Sequence, residues 1–303
     1  MDGIGLLTFI TFNKDHKNNL GDWYQTAAAC YMWWNHFGRV GTFYNFLQEC
    51  ICTQTMNGYP IIWIYRDNPS ASDPRGCKKV VTFYNGWWLY DYFKAGDYDF
   101  PPPTWLHPIY TSIHVRDKGI LTPTTIEHLK LHSPIGCRDK ETETMMKNFG
   151  ISAYFSGCMT MILNLQDSLL GFSKTLDYSD ATVYIDMPIS LKGTTLRCSL
   201  SQAGHFHRDP NWIIYAIQRM YNIFFAKSVI THRLHVWLPL LCSGKDISLW
   251  DSQTNKPIQK SIHDYIGGNN RFTGLLELQT DVKERERIQS ALAEDCMKRL
   301  QSA

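Results

Sequence analysis

The chain reads as an α/β protein of two domains, with its chemistry expected in the cleft between them. Three observations carry that reading. Strand-like and helix-like stretches alternate along most of the chain, the pattern of a largely parallel sheet flanked by helices. The length of 303 residues exceeds what one core usually organises, at roughly 100–200 residues per domain. With 44% hydrophobic and 19% charged residues, both halves can bury an ordinary core.

The elements follow in chain order. GLLTFITF (5–12) is expected as the first strand: Asp2 precedes it where a leader would carry a base, and no small-residue cleavage site follows. A helix over 22–36 comes next. IIWIY (61–65), KVVTFY (79–84) and PIYTSI (108–113) are expected as strands, separated by the Pro-containing loops 66–78 and 97–107, which are long enough to serve as linings or lids. Helices are expected over 124–132, after Pro-Thr-Thr, and over 140–149, where Gly150 can stop the turn. SAYF (152–155), TVYID (182–186), TTLRCSLS (194–201), SVIT (228–231) and DISLW (246–250) complete the strands. The segment 209–226 is strongly amphipathic: Ile213, Ile217, Met220, Tyr221 and Phe224 recur at three- and four-residue steps, with Asp209 or Asn211 able to cap it. The last helix, 281–301, sets Ile288, Leu292, Cys296 and Leu300 at i, i+4 steps opposite a charged face. We place the division near residue 150, giving domains 1–150 and 151–303, with the last helix able to pack back on the first domain.

Charge and cysteines narrow the function classes. The formal net charge is +2 and no basic stripe is present, which argues against nucleic acid as a partner. Nine cysteines show neither a disulfide framework nor zinc spacing, so free thiols in a reducing compartment and no metal are expected. No run approaches the ~18–20 apolar residues that span a bilayer. The expectation is a cytoplasmic protein, which leaves room for work at a membrane surface.

Four stretches could carry chemistry. NNLGDWYQ (18–25) opens a helix: Gly21 permits a tight turn, Asp22 can cap, and the free N–H groups can meet an anion. In SPIGCRDKET (133–142) a short strand delivers Arg138 and Asp139 to the head of a helix, where Arg138 could grip a carboxylate or phosphate, or pair with Asp139 to fix the turn. YFSGCMTMIL (154–163) offers Ser156 and Gly157, small enough for close approach by a ligand or simply for a tight buried turn. In SVITHRLH (228–235) a strand ends and Arg233 and His235 enter a new helix, beyond the carboxyl end of a strand where α/β sheets bind ligands. Arg233 is a permanent cationic fork; His235 can give or take a proton near neutral pH.

Together and in this order, these stretches resemble the polysaccharide pyruvyltransferase family. NNLGDWYQ is similar to its N-G-D-x-x-Q-like start. KVVTFYNGWW with Asn85, the strand end at His114, PIGCRDKET, YFSGCMTMIL, THRLH and RFTG (271–274) continue the series, over about residues 18 to 276. His232 stands where the family often has a small residue, Gly244-Lys245-Asp246-Ile247 where it often has Gly-x-Pro-Val, and the chain is short for the family. The resemblance implies two Rossmann-like domains facing a cleft, a GT-B-like arrangement, with the acceptor on the first domain and the donor on the second. It implies a transferase of polysaccharide biosynthesis that takes phosphoenolpyruvate as donor substrate, needs no cofactor, and makes a pyruvate ketal on the hydroxyl pair of a sugar or glycan acceptor. A lipid-linked acceptor at a membrane surface fits that role. His235, Arg233 and His114 are then the catalytic candidates. Asn19, Gly21, Asp22, Gln25, Asn85, Arg138, Asp139, Ser156 and Gly157 are the substrate-binding ones. A nucleotide-sugar glycosyltransferase of the same architecture and a non-catalytic glycan- or anion-binding relative remain the alternatives, because fold alone does not settle function.

Overall fold

β1 (Gly3–Thr8) is buried along its whole length, as a strand covered on both faces must be. The structure, a computed structural model, describes residues 2–8, 18–66, 68–88, 100–115, 118–173, 175–187, 194–196, 199–200, 211–250 and 274–303. After β1 come β2 (Asn18–Asn19), α1 (Leu20–His36), α2 (Phe43–Thr53), β3 (Thr55–Met56), β4 (Tyr59–Tyr65), β5 (Val80–Trp88) and β6 (Leu106–Val115). Next are α3 (Pro123–Leu131), β7 (Ile135–Cys137), α4 (Lys140–Asn148), β8 (Ala153–Phe155), α5 (Leu165–Ser168), β9 (Thr182–Ile185), β10 (Thr194–Leu196) and β11 (Ser199–Leu200). The chain continues through α6 (Asn211–Phe224), β12 (Ser228–Thr231), α7 (Leu234–Cys242), β13 (Ile247–Leu249) and α8 (Val282–Ser302).

These elements form two compact units. The first comprises Met1–Thr11, Thr53–Met159 and Ile266–Ala303; the second comprises Phe12–Cys52 and Thr160–Tyr265. Neither follows the 1–150 and 151–303 division. α1 belongs to the second unit because its buried surface packs on α6 and α7. Residues 151–159 stay in the first because β8 completes its sheet beside β7.

The first unit carries a seven-stranded sheet in the order β3-β4-β1-β5-β6-β7-β8, parallel except for the β3–β4 hairpin. β1 approaches β5 so closely that a Cβ at Gly5 would stand 2.7 Å from Cβ of Thr82, so only glycine fits. α8 lies on this unit with Ile288, Leu292, Cys296 and Leu300 buried. Arg299 anchors it by donating to the carbonyls of Tyr110, His132 and Pro134. The 66–78 loop folds against β4: the Tyr65 N–H donates to the buried Ser72 hydroxyl, and Arg75 donates to the Ile61 carbonyl.

The second unit has a four-stranded parallel sheet in the order β10-β9-β12-β13, and a separate antiparallel pairing of β11 with β2. α1 is buried almost all round, which fits its run of Ala, Trp and Tyr. α2 was not expected from the sequence. Its buried stripe Phe43, Leu47 and Cys50 has helical spacing, but aromatic and β-branched neighbours give it weak intrinsic helix preference. The expected strand 194–201 is two short strands. Residues 9–12 of the first expected strand, Asp209, loop residues 97–99 and Arg271–Thr273 lie outside the described residues. No disulfide joins the described cysteines. Among the described residues, no helix is long and apolar enough to cross a membrane.

Candidate functional site

The twelve candidate residues divide evenly between the units. In the first, Asn85, His114, Arg138, Asp139, Ser156 and Gly157 converge at the carboxyl ends of β5, β6, β7 and β8. A bulge sets this edge. Between the pairs Tyr84↔Tyr110 and Gly86↔Ile113, β5 advances two residues and β6 three, so β6 carries one extra residue. Ser112 absorbs it in the left-handed backbone region, φ 56°. The alternation of side chains therefore slips by one. Tyr110, Ile113 and Val115 all lie in one apolar cluster, and His114 is turned to the opposite face.

There His114 Nδ1 meets Asp139 Oδ2 at 2.5 Å, with both side chains buried. A carboxylate only accepts, so Nδ1 carries the proton and proton exchange falls to Nε2. Asp139 is held in turn. Its Oδ1 accepts the Thr142 N–H at 2.8 Å, capping α4. The Thr142 hydroxyl accepts the Val115 N–H at 3.2 Å, tying the cap to β6. Asp139 is fully buried, so its contacts are those of an orienting group. Arg138 is also buried, 2% exposed, with its own N–H donating to the Ile113 carbonyl. Ser156 Oγ accepts the Ser112 N–H at 3.2 Å and lies 3.1 Å from the Cys137 carbonyl. Gly157 has φ 69°, a backbone state glycine adopts freely. The amide of the buried Asn85 points Nδ2 at Met159 Sδ, 3.0 Å away. Burial pushes the Cys137 thiol well above its usual pKa, with Asp139 and Glu143 adding to the shift, so this cysteine stays protonated.

The second unit holds Asn19, Gly21, Asp22, Gln25, Arg233 and His235. Asn19 pairs through its backbone with Ser199. Gly21 and Gln25 are buried in α1, and Gln25 donates to Asp22 at 3.3 Å. Arg233 stands at the N-cap of α7 without a side-chain cap bond, and His235 is half-buried in the first turn. Arg233 Nε donates to Asp186 Oδ2 at 2.6 Å, and His232 Nε2 donates to the Asp186 carbonyl at 2.6 Å. Asp186 directly follows β9; His232 and Arg233 follow β12. The chain runs from β9 outward to β10 and then returns to β12 on the other side, so this is where strand order reverses. Open α/β sheets bind ligands beyond the strand ends at that point.

No protein-family model matches the chain, and no curated protein matches it. Sequence reading missed Asp186, Thr142 and Ser112. Asp186 stood inside an expected strand, TVYID; its one signal was an acidic residue closing an apolar run.

Proposed function

We propose that this protein transfers a pyruvyl group from phosphoenolpyruvate to a hydroxyl pair on a sugar, forming a pyruvate ketal. The observation that carries the reading is Arg233 at the uncapped head of α7, with His235 in the same turn, at the reversal of strand order in the second sheet. A cationic fork and a helix N-terminus together suit a donor bearing a phosphate and a carboxylate. In this reading the two units are the Rossmann-like domains of a GT-B-like cytoplasmic transferase, the acceptor belonging to the first unit and the donor to the second.

The chemistry needs proton transfer. One sugar hydroxyl attacks the central carbon of the donor while the methylene carbon gains a proton and becomes a methyl group. The bond from carbon to the phosphate oxygen breaks, and phosphate leaves with the electron pair. The second hydroxyl closes the ring. Of the two hydroxyl protons released, one balances the methyl group and the other leaves with phosphate. His235 serves as general acid or phosphate partner, and His114, oriented by Asp139, as the second proton-handling group; such groups contribute ~10²–10⁴-fold. Arg138 is buried, so the donor clamp falls to Arg233.

Calorimetric titration with phosphoenolpyruvate and, separately, with common nucleotide sugars tests the proposal. Saturable binding of phosphoenolpyruvate, with phosphate released when a sugar acceptor is added, is the expected result. Binding of nucleotide sugars alone would transfer the assignment to a glycosyltransferase.

A further inference from the structure

We propose that Asp186 is the positioning residue of the donor site: it holds Arg233 by Nε so that the Nη1–Nη2 edge is presented to an oxyanion of phosphoenolpyruvate. The inference rests on the reading of Arg233 as the donor clamp. A guanidinium has two edges that can form paired hydrogen bonds. Asp186 Oδ2 occupies Nε at 2.6 Å, and among the described residues Nη1 and Nη2 have no hydrogen-bond partner. The Arg233 side chain is 34% exposed, whereas that of Asp186 is 4% exposed. The carboxylate is thus the fixed member of the pair and the outer edge of the cation is the accessible one.

The backbone at Asp186 fits the same role. Its φ is 56°, a left-handed conformation that aspartate tolerates better than most residues but still at a cost. His232 Nε2 donates to the carbonyl of this residue, and a carbonyl can only accept, so the imidazole holds the turned peptide from the neighbouring strand end. The Arg233 N–H donates to Thr231 Oγ1 at 3.0 Å, which fixes the other side of the contact. Two adjacent strand ends are therefore cross-tied by His232 and Arg233 onto one residue.

The test separates positioning from charge. Asp186→Gly and Asp186→Asn both remove one negative charge, and both tolerate a positive φ. Asparagine keeps an oxygen within reach of Nε; glycine does not. Calorimetry with phosphoenolpyruvate on the full chain should show binding weakened about tenfold or more by Asp186→Gly, the scale of a lost charge-assisted hydrogen bond, and largely rescued by Asp186→Asn. In an Arg233→Ala background, Asp186→Gly should produce no further loss. If Asp186→Gly binds as tightly as the parent, or more tightly, as removal of a repelling charge alone would give, Asp186 does not position the clamp. If the parent fails to bind phosphoenolpyruvate, or Arg233→Ala leaves binding intact, the reading of Arg233 itself falls and this inference with it. The unmodified protein gives a check that needs no variant: the Arg233 Nε–H should be a resolved, slowly exchanging NMR signal, and one that exchanges as fast as exposed arginines overturns the proposal.

Discussion

A residue's chemistry depends on which of its atoms are already engaged. His114 is bonded to Asp139 through Nδ1, and Asp139 caps α4 with its other oxygen. Asp139→Asn separates these duties. Asparagine caps a helix about as well as aspartate, so the fold should hold. Its amide cannot fix the Nδ1-protonated ring as a carboxylate does, so kcat for phosphate release should fall at least about tenfold while the melting temperature stays near that of the parent. A variant that melts early and keeps its turnover per folded molecule would assign Asp139 to structure alone. Arg233 and His235 call for a different split. Arg233→Lys preserves charge but not the fork, so it should weaken phosphoenolpyruvate binding. His235→Asn should lower kcat far more than it alters donor affinity, because proton transfer is felt in the transition state. Binding by calorimetry and turnover by phosphate release, measured on the same preparations, distinguish the two. If His235→Asn turns over like the parent, the general acid is His114.

At the scale of elements, the bulge in β6 decides which way the edge of the first sheet faces. An uninterrupted β6 would place His114 on the same face as Tyr110, among the apolar residues beneath α3 and α4. The extra residue turns it away, and Ser112 bears the left-handed backbone with its buried hydroxyl unpartnered among the described residues. Glycine adopts that backbone without the Cβ clash. Ser112→Gly should therefore stabilise the protein by about 1 kcal/mol, read as a higher urea midpoint at unchanged slope. Destabilisation would mean that the side chain of Ser112 holds the bulge, against the strain account. The bulge has no signature in YTSIH, which contains neither glycine nor proline to mark it. What is legible is the cap of α4, an aspartate three residues before the threonine whose N–H it accepts, and the helical stripe of α8.

For the molecule as a whole, burial of imidazoles sets a dependence on acid. His36, His107, His128 and His132 are all held below the ordinary imidazole pKa of 6.5, each chiefly by burial; His107 is further lowered by Lys79, and His132 by His107 and Arg299. His128 is lowered to about 4, with His132 adding to the effect of burial, and its Nε2 lies 2.8 Å from the Tyr110 hydroxyl. The unfolded chain takes up protons below pH 6.5 that the folded protein refuses. Stability is therefore complete above about 6.5 and is lost as pH falls towards 4, where His128 itself protonates. Melting temperature measured across this range should decline steadily, and His128→Gln should flatten the decline. A parent whose melting temperature is level down to pH 4.5 would contradict the burial of these rings.

The alternation of strands and helices, the positions of eight strands, and the placement of Arg233 and His235 at the head of a helix were all determined by the sequence alone, because they rest on local periodicity, caps and breakers. The partners were decided only by the tertiary structure. Asp186 and Arg233 are 47 positions apart and His114 and Asp139 are 25 apart. They meet because β9 lies beside β12 and β6 beside β7, and strand order leaves no periodic mark along the chain. The membership of α1 in the second unit has the same cause. A helix buried on nearly every side advertises that it is covered, while the surfaces that cover it, α6 and α7, come some 180 residues later in the chain.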